Sequence, residues 1–203
     1  GVDEPVIAFT SHEGMVAPLD RVDVDTDQII PKQFLKRIER TGYGQFLFHD
    51  WRNRPDGTPD PDFVLNRPEH LSATILVTGR NFGCGSSREH AAWALLEHGF
   101  RAVISSGFAD IFKSNCYQNG LLPVELSAAE VAHVMASAQS EGGCRLTVDL
   151  EAQEVRDQDG WSATFSIDPF QRRCLLEGLD DIALTLQHEA RIDAFEKNRV
   201  VLS

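Results

Sequence analysis

Residues 79–90 read GRNFGCGSSREH and place two serines, an arginine and a Glu-His pair among closely spaced glycines. Glycine lets a backbone bend where larger residues clash, so such a stretch is typical of a tight turn. A serine oxygen can act as a base or nucleophile once its proton is removed, and an arginine guanidinium binds a carboxylate through two parallel hydrogen bonds. The stretch therefore predicts a site for a small polycarboxylate, built around Ser86 and Arg88.

The same residues also fit a purely structural role. Ser86 and Glu89 have the spacing of the S-x-x-E capping box, in which the serine oxygen accepts a hydrogen bond from a backbone N–H of the helix. In that interpretation the stretch only starts a helix. In the catalytic interpretation, the free N–H groups and partial positive charge of the first helical turn help the Ser86 oxygen to carry negative charge. The sequence leaves both interpretations open.

Three known glycine motifs do not match the turn. The dinucleotide-binding fingerprint requires a glycine where Arg88 stands after Gly83 and Gly85, and the phosphate-binding loop requires the residues G-K-S/T. The nucleophile elbow G-x-S-x-G has a spacing that Gly85-Ser86-Ser87 does not reproduce. These three functions are therefore excluded for this stretch.

The turn is expected to join a buried strand to a helix. Residues 73–78 are apolar and β-branched, and residues 91–98 are helix formers that stop at Gly99. Strands that alternate with helices predict an α/β domain with a partly parallel sheet. This alternation continues with a strand over residues 101–105, a helix over 109–119, a strand over 121–126 and a helix from 127 to about 140.

An acidic segment precedes this region. Residues 16–31 alternate apolar and acidic positions before an apolar run, which predicts a half-buried or edge strand that leads into a loop. Asp23, Asp25 and Asp27 have the D-x-D-x-D spacing of a calcium loop, but the glycine and the bidentate glutamate of such a loop are missing. The acids are expected either to form a solvated strand face or to position another group.

The other segments are expected to complete a single domain that spans residues 1–203. No repeat or low-complexity tract interrupts them. They are expected to form, in chain order, a broken helix over residues 32–51, a proline-rich surface loop over 52–70, a hairpin over 144–167 that turns at 157–160, and one or two amphipathic helices over 171–197 with a break near Gly178.

Composition limits the possible partners. The formal net charge of −12 argues against binding to nucleic acid or to anionic membranes, since both require a basic face. No apolar run is long enough to cross a bilayer and no signal-peptide pattern opens the chain, so a cytoplasmic setting is expected.

The four cysteines are spaced about 30 residues apart and include no C-x-x-C pair. This spacing suits neither a zinc ribbon nor a self-contained iron–sulfur cluster, so the chain is expected to hold no metal of its own. Cys116, Cys144 and Cys174 are expected in the core. Cys84 is expected to pack inside the glycine turn, although a thiol beside a site is open to oxidation.

Five stretches carry a family resemblance that covers nearly the whole chain. They are VDTDQIIPKQFLK at residues 24–36, PDFVLNRPE at 61–69, GRNFGCGSSREHAAWAL at 79–95, GFADIFKSNCYQNGLLPV at 107–124 and LLEGLDDIALTL at 175–186. In this order they resemble the swivelling domains of the aconitase superfamily, and among them the small subunits of isopropylmalate isomerase. The resemblance implies an α/β fold, a swivelling-type β/β/α domain with a partly parallel sheet flanked by helices.

The resemblance also implies a reaction. Members of this family take part in eliminating water from 2-isopropylmalate and re-adding it to give 3-isopropylmalate, a step of leucine biosynthesis. A [4Fe-4S] cluster with an open iron site binds the leaving hydroxyl, and this cluster belongs to a separate large subunit. The small subunit is therefore expected to bind no cofactor and to act only in a complex with that partner.

By motif position, the resemblance implies roles for individual residues. Ser86 matches the serine proposed as the base that removes the proton α to a carboxylate, and Asp27 matches an acidic residue that lines the site. Arg88 matches the arginine that binds a substrate carboxylate, with Ser87 and Gly85 in the same binding turn.

Substrate choice is less determined by the sequence. Lys36 and Arg37 lie in a loop that, by resemblance, meets the variable group of the substrate. Because both are cations, a variable group that carries a carboxylate stays an alternative to isopropyl. Enzymes that act on citrate, homocitrate or a methylated malate are one alternative, and a non-catalytic binding module with a capping turn is another. His90 is expected to pack near the helix start rather than to act as an acid. Three further histidines are expected at the surface: His49, His70 and His133.

Overall fold

The computed structural model describes residues 7–37, 39 and 41–178. Short 3-10 turns lie at Lys32–Lys36, Gly44–Phe46, Val64–Asn66 and Pro68–His70. In chain order the strands and α-helices are β1 (Ser11–Leu19), α1 (Thr26–Ile29), α2 (His49–Arg52), β2 (Ile75–Thr78), α3 (Glu89–His98), β3 (Ala102–Ser105), α4 (Asp110–Asn119), β4 (Leu122–Glu125), α5 (Ala128–Gln139), β5 (Arg145–Asp149), β6 (Glu154–Arg156), β7 (Ser162–Thr164) and α6 (Pro169–Glu177).

The strands of the described residues form a seven-stranded sheet in the order β4-β3-β2-β1-β5-β6-β7. β1 is the junction of the sheet, because it pairs in parallel with β2, where Val16 is aligned with Ile75, and antiparallel with β5, where Gly14 is aligned with Leu146. β2, β3 and β4 continue the parallel half, and β5, β6 and β7 form an antiparallel meander. The expected partly parallel α/β sheet is confirmed.

Alternate residues of the parallel strands enter two apolar cores, one on each face of the sheet. Val16 and Ile75 pack in a core with residues of α5 and of the meander. Ala17 and Leu76 pack in a core with residues of α3 and α4. Because both faces are covered, β2 is buried along its whole length, which explains why its sequence is a continuous apolar run rather than an alternating one.

The acidic segment does not form the expected strand. β1 ends at Leu19, and the chain then turns through Asp23, whose φ of 53° is left-handed, before α1 begins. Val22 is 48% exposed whereas Val24 is buried, so the apolar and acidic alternation here belongs to a turn that rests on the core. The strand prediction is confirmed for residues 16–19, which belong to β1, and is wrong for the acidic residues that follow, because a turn can produce the same alternation as a strand.

The three aspartates of this segment position other groups, which confirms the second interpretation of them. Asp23 accepts a hydrogen bond from Asn81 Nδ2 over 3.0 Å. Asp25 caps α1 through its side chain, and Asp27 pairs with Arg88. Each carboxylate therefore has a hydrogen-bond partner within the fold, and Asp23 and Asp27 are exposed as well.

The expected broken helix over residues 32–51 is present as two 3-10 turns followed by α2. The proline-rich segment after it is less exposed than expected, because Leu65 lies in the core and His70 is only 7% exposed. The surface prediction is therefore wrong for His70, whereas His49 is half-buried and His133 is exposed.

Residues 144–167 include the expected hairpin, but its first arm is broken. A turn at residues 150–153, with Gln153 in the left-handed region at a φ of 53°, separates β5 from β6, and the hairpin is formed by β6 and β7. α6 ends at Gly178, whose φ is 67°, as the expected helix break requires. The rest of the helical prediction for residues 171–197 lies outside the described residues.

The carboxyl ends of β1, β2 and β3 lead to one edge of the sheet, where the following segments are joined by backbone hydrogen bonds. Gly83 N–H donates to Val24 O over 2.8 Å and joins the segments that follow β2 and β1. Phe82 N–H donates to Gly107 O over 3.1 Å and joins the segments that follow β2 and β3. This edge is the usual place for functional residues in a parallel sheet.

Gly83 lets α4 approach this edge closely. Its φ of 83° is left-handed, and a Cβ atom added to it would overlap the side chain of Phe112 on α4. Gly57 has a similar φ of 87°, but no atom lies within 4 Å of a Cβ added there. Both positions need the backbone freedom of glycine, and only Gly83 also leaves room for a neighbouring ring.

Gly83→Ala is expected to lower the free energy of unfolding by about 1–3 kcal/mol more than Gly57→Ala does. Both variants carry the strain of a left-handed alanine, about 1–2 kcal/mol, and only the first adds a steric overlap. Urea denaturation of both variants and of the wild-type chain measures the difference. Equal losses would mean that Phe112 moves aside without cost.

Candidate functional site

The glycine turn follows β2 and leads into α3, but Ser86 does not cap that helix. α3 begins at Glu89, and its N-cap is Arg88, whose backbone is extended and whose side chain caps no N–H group. The carboxylate of Glu89 accepts a hydrogen bond from Asn119 Nδ2 over 2.9 Å. The capping-box interpretation is therefore wrong, and Ser86 lies two residues before the N-cap rather than within the first helical turn.

Capping boxes do form at two other helices. Ser127 Oγ accepts from the N–H of Glu130 over 3.1 Å, and Glu130 Oε1 accepts from the N–H of Ser127 over 2.9 Å, at the start of α5. Asp25 and Gln28 make the same reciprocal pair at the start of α1. At residues 86–89 no box forms, because the helix begins only at Glu89, and the Glu89 carboxylate is bonded to Asn119 on α4 instead.

The turn is held in place by α1. Thr26 donates two hydrogen bonds to it, from its backbone N–H to Cys84 O over 2.9 Å and from its hydroxyl to Ser86 O over 2.6 Å. Gly85 lies between these two carbonyls with a φ of 87°, and a Cβ added there would come within 3.2 Å of Asp25 Cβ. The glycine is therefore required both by its backbone conformation and by the close approach of α1.

Arg88 reaches Asp27 across this contact. Its Nη1 lies 3.3 Å from Asp27 Oδ1 and 3.4 Å from Ile30 O, and the arginine side chain is 10% exposed. Both distances are long and Asp27 is 53% exposed, so the ion pair orients the guanidinium more than it stabilises the fold. Nε and Nη2 donate to no described residue and are not sealed from the surface, which leaves one edge of the planar fork available to a carboxylate.

Gly85, Ser86 and Ser87 are exposed. Neither serine hydroxyl has a hydrogen-bond partner among the described residues, and the pair immediately precedes Arg88 at the N-terminal end of α3. The partial positive charge of that helix end favours a negatively charged group nearby. The structure therefore brings Asp27, Arg88 and the serine turn together, and this arrangement can bind a carboxylate beside an oxygen base.

Arg37 does not join this group. Its guanidinium lies over the rings of Tyr43 and Phe46, at 5.5 Å and 4.9 Å from the ring centroids, and its Nη2 donates to Thr41 O over 3.2 Å. Its Nε is buried without a hydrogen bond and is 3.7 Å from the carboxylate of Glu39. Attraction between the cation and two aromatic faces explains why this side chain turns inward.

Lys36 is exposed and contacts no charged group of the described residues. Phe34 in the same loop stacks on Phe46 with ring centroids 4.0 Å apart and the rings 9° from parallel. The loop predicted to meet the variable group of a substrate therefore offers one exposed cation, Lys36, next to a stacked aromatic pair.

His90 packs at the start of α3, as expected. Its ring meets that of Tyr43 at 5.2 Å and that of Trp93 at 4.6 Å. Burial lowers the pKa of His90, and Arg88 lowers it further while Glu89 opposes the shift. These surroundings therefore favour the neutral imidazole.

Cys84 keeps its proton at the edge of the turn. The thiol is half-buried, and burial first, then the carboxylates of Asp25 and Asp23, raise its pKa. Because the thiolate is the reactive form, this thiol is less open to oxidation than its position beside the site suggests.

The other three cysteines are buried, as expected: Cys116, Cys144 and Cys174. Within residues 7–37, 39 and 41–178, no three or more His, Cys, Asp or Glu side chains are grouped so that they could hold a metal ion. Helices in the same part of the chain are all too short or too polar to cross a membrane.

A separate cavity of about 590 Å³ lies away from the predicted site. Residues from β1, from the proline-rich segment and from the end of α5 line it, including Leu19, Arg67 and Gly143. The site residues predicted from the sequence lie outside its lining. They are carried by the exposed turn, by α1 and, for Lys36 and Arg37, by the 3-10 turn at Lys32–Lys36 and the residue after it.

Two residues that organise the site were missed by the sequence analysis. Thr26 is buried, and in the sequence it stands between two aspartates. The D-T-D triplet at a helix start is the signal that could have indicated its role. Asn81 adopts a φ of 58° and holds Asp23. Asparagine tolerates left-handed backbone better than most residues, so an Asn within a glycine turn is a signal of the same kind.

Family models match the chain in three successive parts. The aconitase C-terminal domain matches residues 7–129, and the model described as LeuD_N matches residues 132–169. The C-terminal domain of the 3-isopropylmalate dehydratase small subunit matches residues 181–200. The first match alone covers more than half of the chain.

Curated relatives and a solved structure agree with these matches. The 3-isopropylmalate dehydratase small subunit of Brevibacillus brevis is 56% identical over 191 residues, which cover 94% of this chain and 98% of the relative. That of Acidobacterium capsulatum is 60% identical over 189 residues, which cover 93% of this chain and 89% of the relative. The crystal structure of 3-isopropylmalate dehydratase from Methanocaldococcus jannaschii superposes with a TM-score of 0.67 at 25% identity, covering 91% of this chain and 99% of that chain.

Proposed function

The chain belongs to the family of 3-isopropylmalate dehydratase small subunits, and we propose that it supplies one half of the active site of this hydro-lyase. The reaction removes water from 2-isopropylmalate and adds it back to give 3-isopropylmalate, in leucine biosynthesis and in the cytoplasm. The other half of the site belongs to a large subunit, which the designation of the relatives as small subunits implies.

The observation that carries this proposal is the open edge of Arg88. One nitrogen of its guanidinium is used by Asp27 and by the carbonyl of Ile30, whereas Nε and Nη2 bond to no described residue. A planar fork with one free edge binds a carboxylate through two parallel hydrogen bonds. Both isopropylmalates carry carboxylates, so Arg88 fixes the substrate and Asp27 orients Arg88.

Ser86 removes the proton from the carbon next to a substrate carboxylate. The electron pair of that C–H bond becomes the second bond between the two carbons. The hydroxyl on the adjacent carbon leaves as water, with a proton supplied by the other half of the site, and Ser86 holds the proton that it removed. Addition of water in the opposite orientation returns a proton to carbon and completes the isomerisation.

A serine hydroxyl is a very weak acid, so the alkoxide of Ser86 must be stabilised by its surroundings. Arg88 is two residues away, and the positive end of the α3 dipole adjoins the turn. Preorganised donors of this kind are worth about 3–4 kcal/mol each in other enzymes, so several must act together. Both serines are exposed when the chain is considered without a partner. The exclusion of water from the site therefore has to come from the large subunit.

The [4Fe-4S] cluster of the superfamily does not fit the described residues of this chain. A cluster needs cysteine thiolates close together, but burial raises the pKa of Cys116 and of Cys144, which disfavours their thiolate forms. No group of side chains in this part of the chain could hold a metal. We therefore assign the cluster to the large subunit.

The arrangement of residues 34–37 supports an apolar variable group. The Arg37 cation is turned onto two aromatic rings, so it is not presented to a substrate carboxylate, and Phe34 adds a stacked ring to the same loop. Lys36 is then the one exposed cation of residues 34–37, instead of the two that the sequence offers. Isopropylmalate is favoured on this ground over citrate or homocitrate. The alternative of a non-catalytic capping module loses its support, because the cap at Ser86 does not form.

Assembly provides the first test. The purified chain is expected to show no turnover of 2-isopropylmalate and to bind no stoichiometric iron, because it holds neither a complete site nor cluster ligands. Activity is expected to appear when it is mixed anaerobically with a reconstituted large subunit, measured by formation of 3-isopropylmalate. Turnover by the chain alone, or stoichiometric iron bound to it, would contradict this assignment.

Ser86→Ala in the assembled enzyme is expected to lower kcat by about 10²–10⁴-fold, the usual contribution of a general base. The free energy of unfolding of the chain is expected to stay within about 0.5 kcal/mol of wild type, because Ser86 caps no helix. Ser127→Ala is the matched control. It removes the oxygen of a formed capping box, so it is expected to cost about 1 kcal/mol of stability and to leave kcat unchanged.

Rate assays and urea denaturation of both serine variants check this expectation. Wild-type kcat in a stable Ser86→Ala complex would move the base to another residue. A loss of stability at Ser86 equal to that at Ser127 would restore the capping interpretation.

Arg88→Lys is expected to lower kcat/KM by about 10- to 100-fold, the loss of one charged hydrogen bond, since a lysine cannot offer two parallel donors. Arg145→Lys is the control, because Arg145 pairs with Glu13 over 2.7 Å between β5 and β1, away from the turn. Its kcat/KM is expected to stay within about twofold of wild type. A near-normal Arg88→Lys enzyme would show that Arg88 binds no substrate carboxylate.

A further inference from the structure

Thr26 holds the carbonyl groups of Cys84 and Ser86, the residues before and after Gly85. Its backbone N–H donates to Cys84 O over 2.9 Å, and its hydroxyl donates to Ser86 O over 2.6 Å. The two segments are 60 residues apart in sequence, and the threonine is only 2% exposed. The buried Thr26 hydroxyl therefore makes one short hydrogen bond to the backbone of the proposed base, Ser86.

Gly85 makes the hydrogen bonds from Thr26 necessary for a fixed turn. Glycine has no Cβ to restrict its rotation, and at a φ of 87° the peptide groups on either side of it are free to tilt. The Cα of Ser86 lies between the peptide group that follows Gly85 and the Ser86–Ser87 peptide group, and the Thr26 hydroxyl holds the second of these. Removing the hydroxyl bond would therefore free the backbone on both sides of the Cα that carries the Ser86 side chain.

Thr26 is itself rigid. It is the first residue of α1, and the reciprocal bonds of Asp25 and Gln28 fix that end of the helix. The N–H of a first helical residue has no partner inside the helix, so Thr26 is able to give it to Cys84. Its branched side chain has few rotamers, and burial leaves the hydroxyl little freedom.

The residue after Thr26 holds the other functional group. Asp27 pairs with Arg88, so one short helix orients the serine through Thr26 and the arginine through Asp27. We propose that Thr26 is a positioning residue that sets the Ser86 oxygen relative to the carboxylate held by Arg88. This inference rests on the proposed function of Ser86 and Arg88.

The test compares Thr26→Val, which keeps the shape and loses the hydroxyl, with Thr26→Ser, which keeps the hydroxyl. Thr74→Val is the matched control, because the Thr74 hydroxyl bonds His12 Nε2 over 2.7 Å just before β2, at the end of the strand opposite the turn. All variants are assayed in the complex with the large subunit for kcat, KM, affinity between the subunits and melting temperature.

Thr26→Val is expected to lower kcat by about 10- to 100-fold, the loss that a small misplacement of a reacting group causes. KM and the affinity between the subunits are expected to change by less than about threefold, since Arg88 is held independently by Asp27. Thr26→Ser is expected to keep kcat within about threefold of wild type. Thr74→Val is expected to lower the melting temperature while kcat stays near wild type.

Wild-type kcat in Thr26→Val would overturn the inference, and so would equal losses in Thr26→Val and Thr26→Ser. A second measurement does not depend on turnover. The amide nitrogen of Ser87 belongs to the same peptide group as the Ser86 carbonyl, so Thr26→Val is expected to shift its NMR resonance in the free chain, whereas Thr26→Ser is not.

These two measurements separate the inference from the proposed function. If the wild-type complex does not isomerise isopropylmalate, the proposed function fails, and the Ser87 resonance alone then decides whether Thr26 holds the turn. An unshifted Ser87 resonance in Thr26→Val would reject the inference in either case.

Discussion

The site depends on the parallel pairing of β1 with β2, because this pairing brings two segments that are 60 residues apart in sequence to one edge of the sheet. Beyond the strands the two segments stay joined by backbone hydrogen bonds, from the N–H of Gly83 to Val24 O and from the N–H of Thr26 to Cys84 O. Every functional side chain of the proposed site follows one of these two strands. Loss of the pairing would leave Ser86 without a fixed position.

Glycines in the turn let other groups come close to the segment that follows β2. A Cβ on Gly79 would overlap the carbonyl oxygen of Arg21, and a Cβ on Gly83 would overlap Phe112. Gly85 faces Asp25 with little spare room. The glycines of the motif are therefore explained by three different neighbours and, at Gly83 and Gly85, by a left-handed backbone. Each removes a steric barrier between elements that must touch.

The electrostatics of the edge suit a site that is completed by a partner. Arg88 is largely buried by its surroundings yet keeps one edge of its guanidinium unbonded to the described residues, and the adjacent serine hydroxyls are exposed. Asp27 accepts from Arg88 and also from the N–H of Lys32, so the carboxylate is itself oriented. Such an arrangement is prepared before a ligand arrives, and it leaves the exclusion of water to the large subunit that we propose.

The sequence by itself determined the alternation of strands and helices from residue 73 to about residue 140, because buried parallel strands need continuous apolar runs and helix ends need caps or glycine. Only the tertiary structure decided what the polar residues do. The S-x-x-E pattern occurs at Ser86 and at Ser127, but a box forms only at Ser127, because α3 begins as late as Glu89 and the Glu89 carboxylate is bonded to Asn119 on α4. The spacing of residues within a segment does not determine which residue from a distant part of the chain bonds to a polar side chain. For the same reason, the inward turn of Arg37 onto aromatic rings and the hold of Thr26 on the turn were decided by packing.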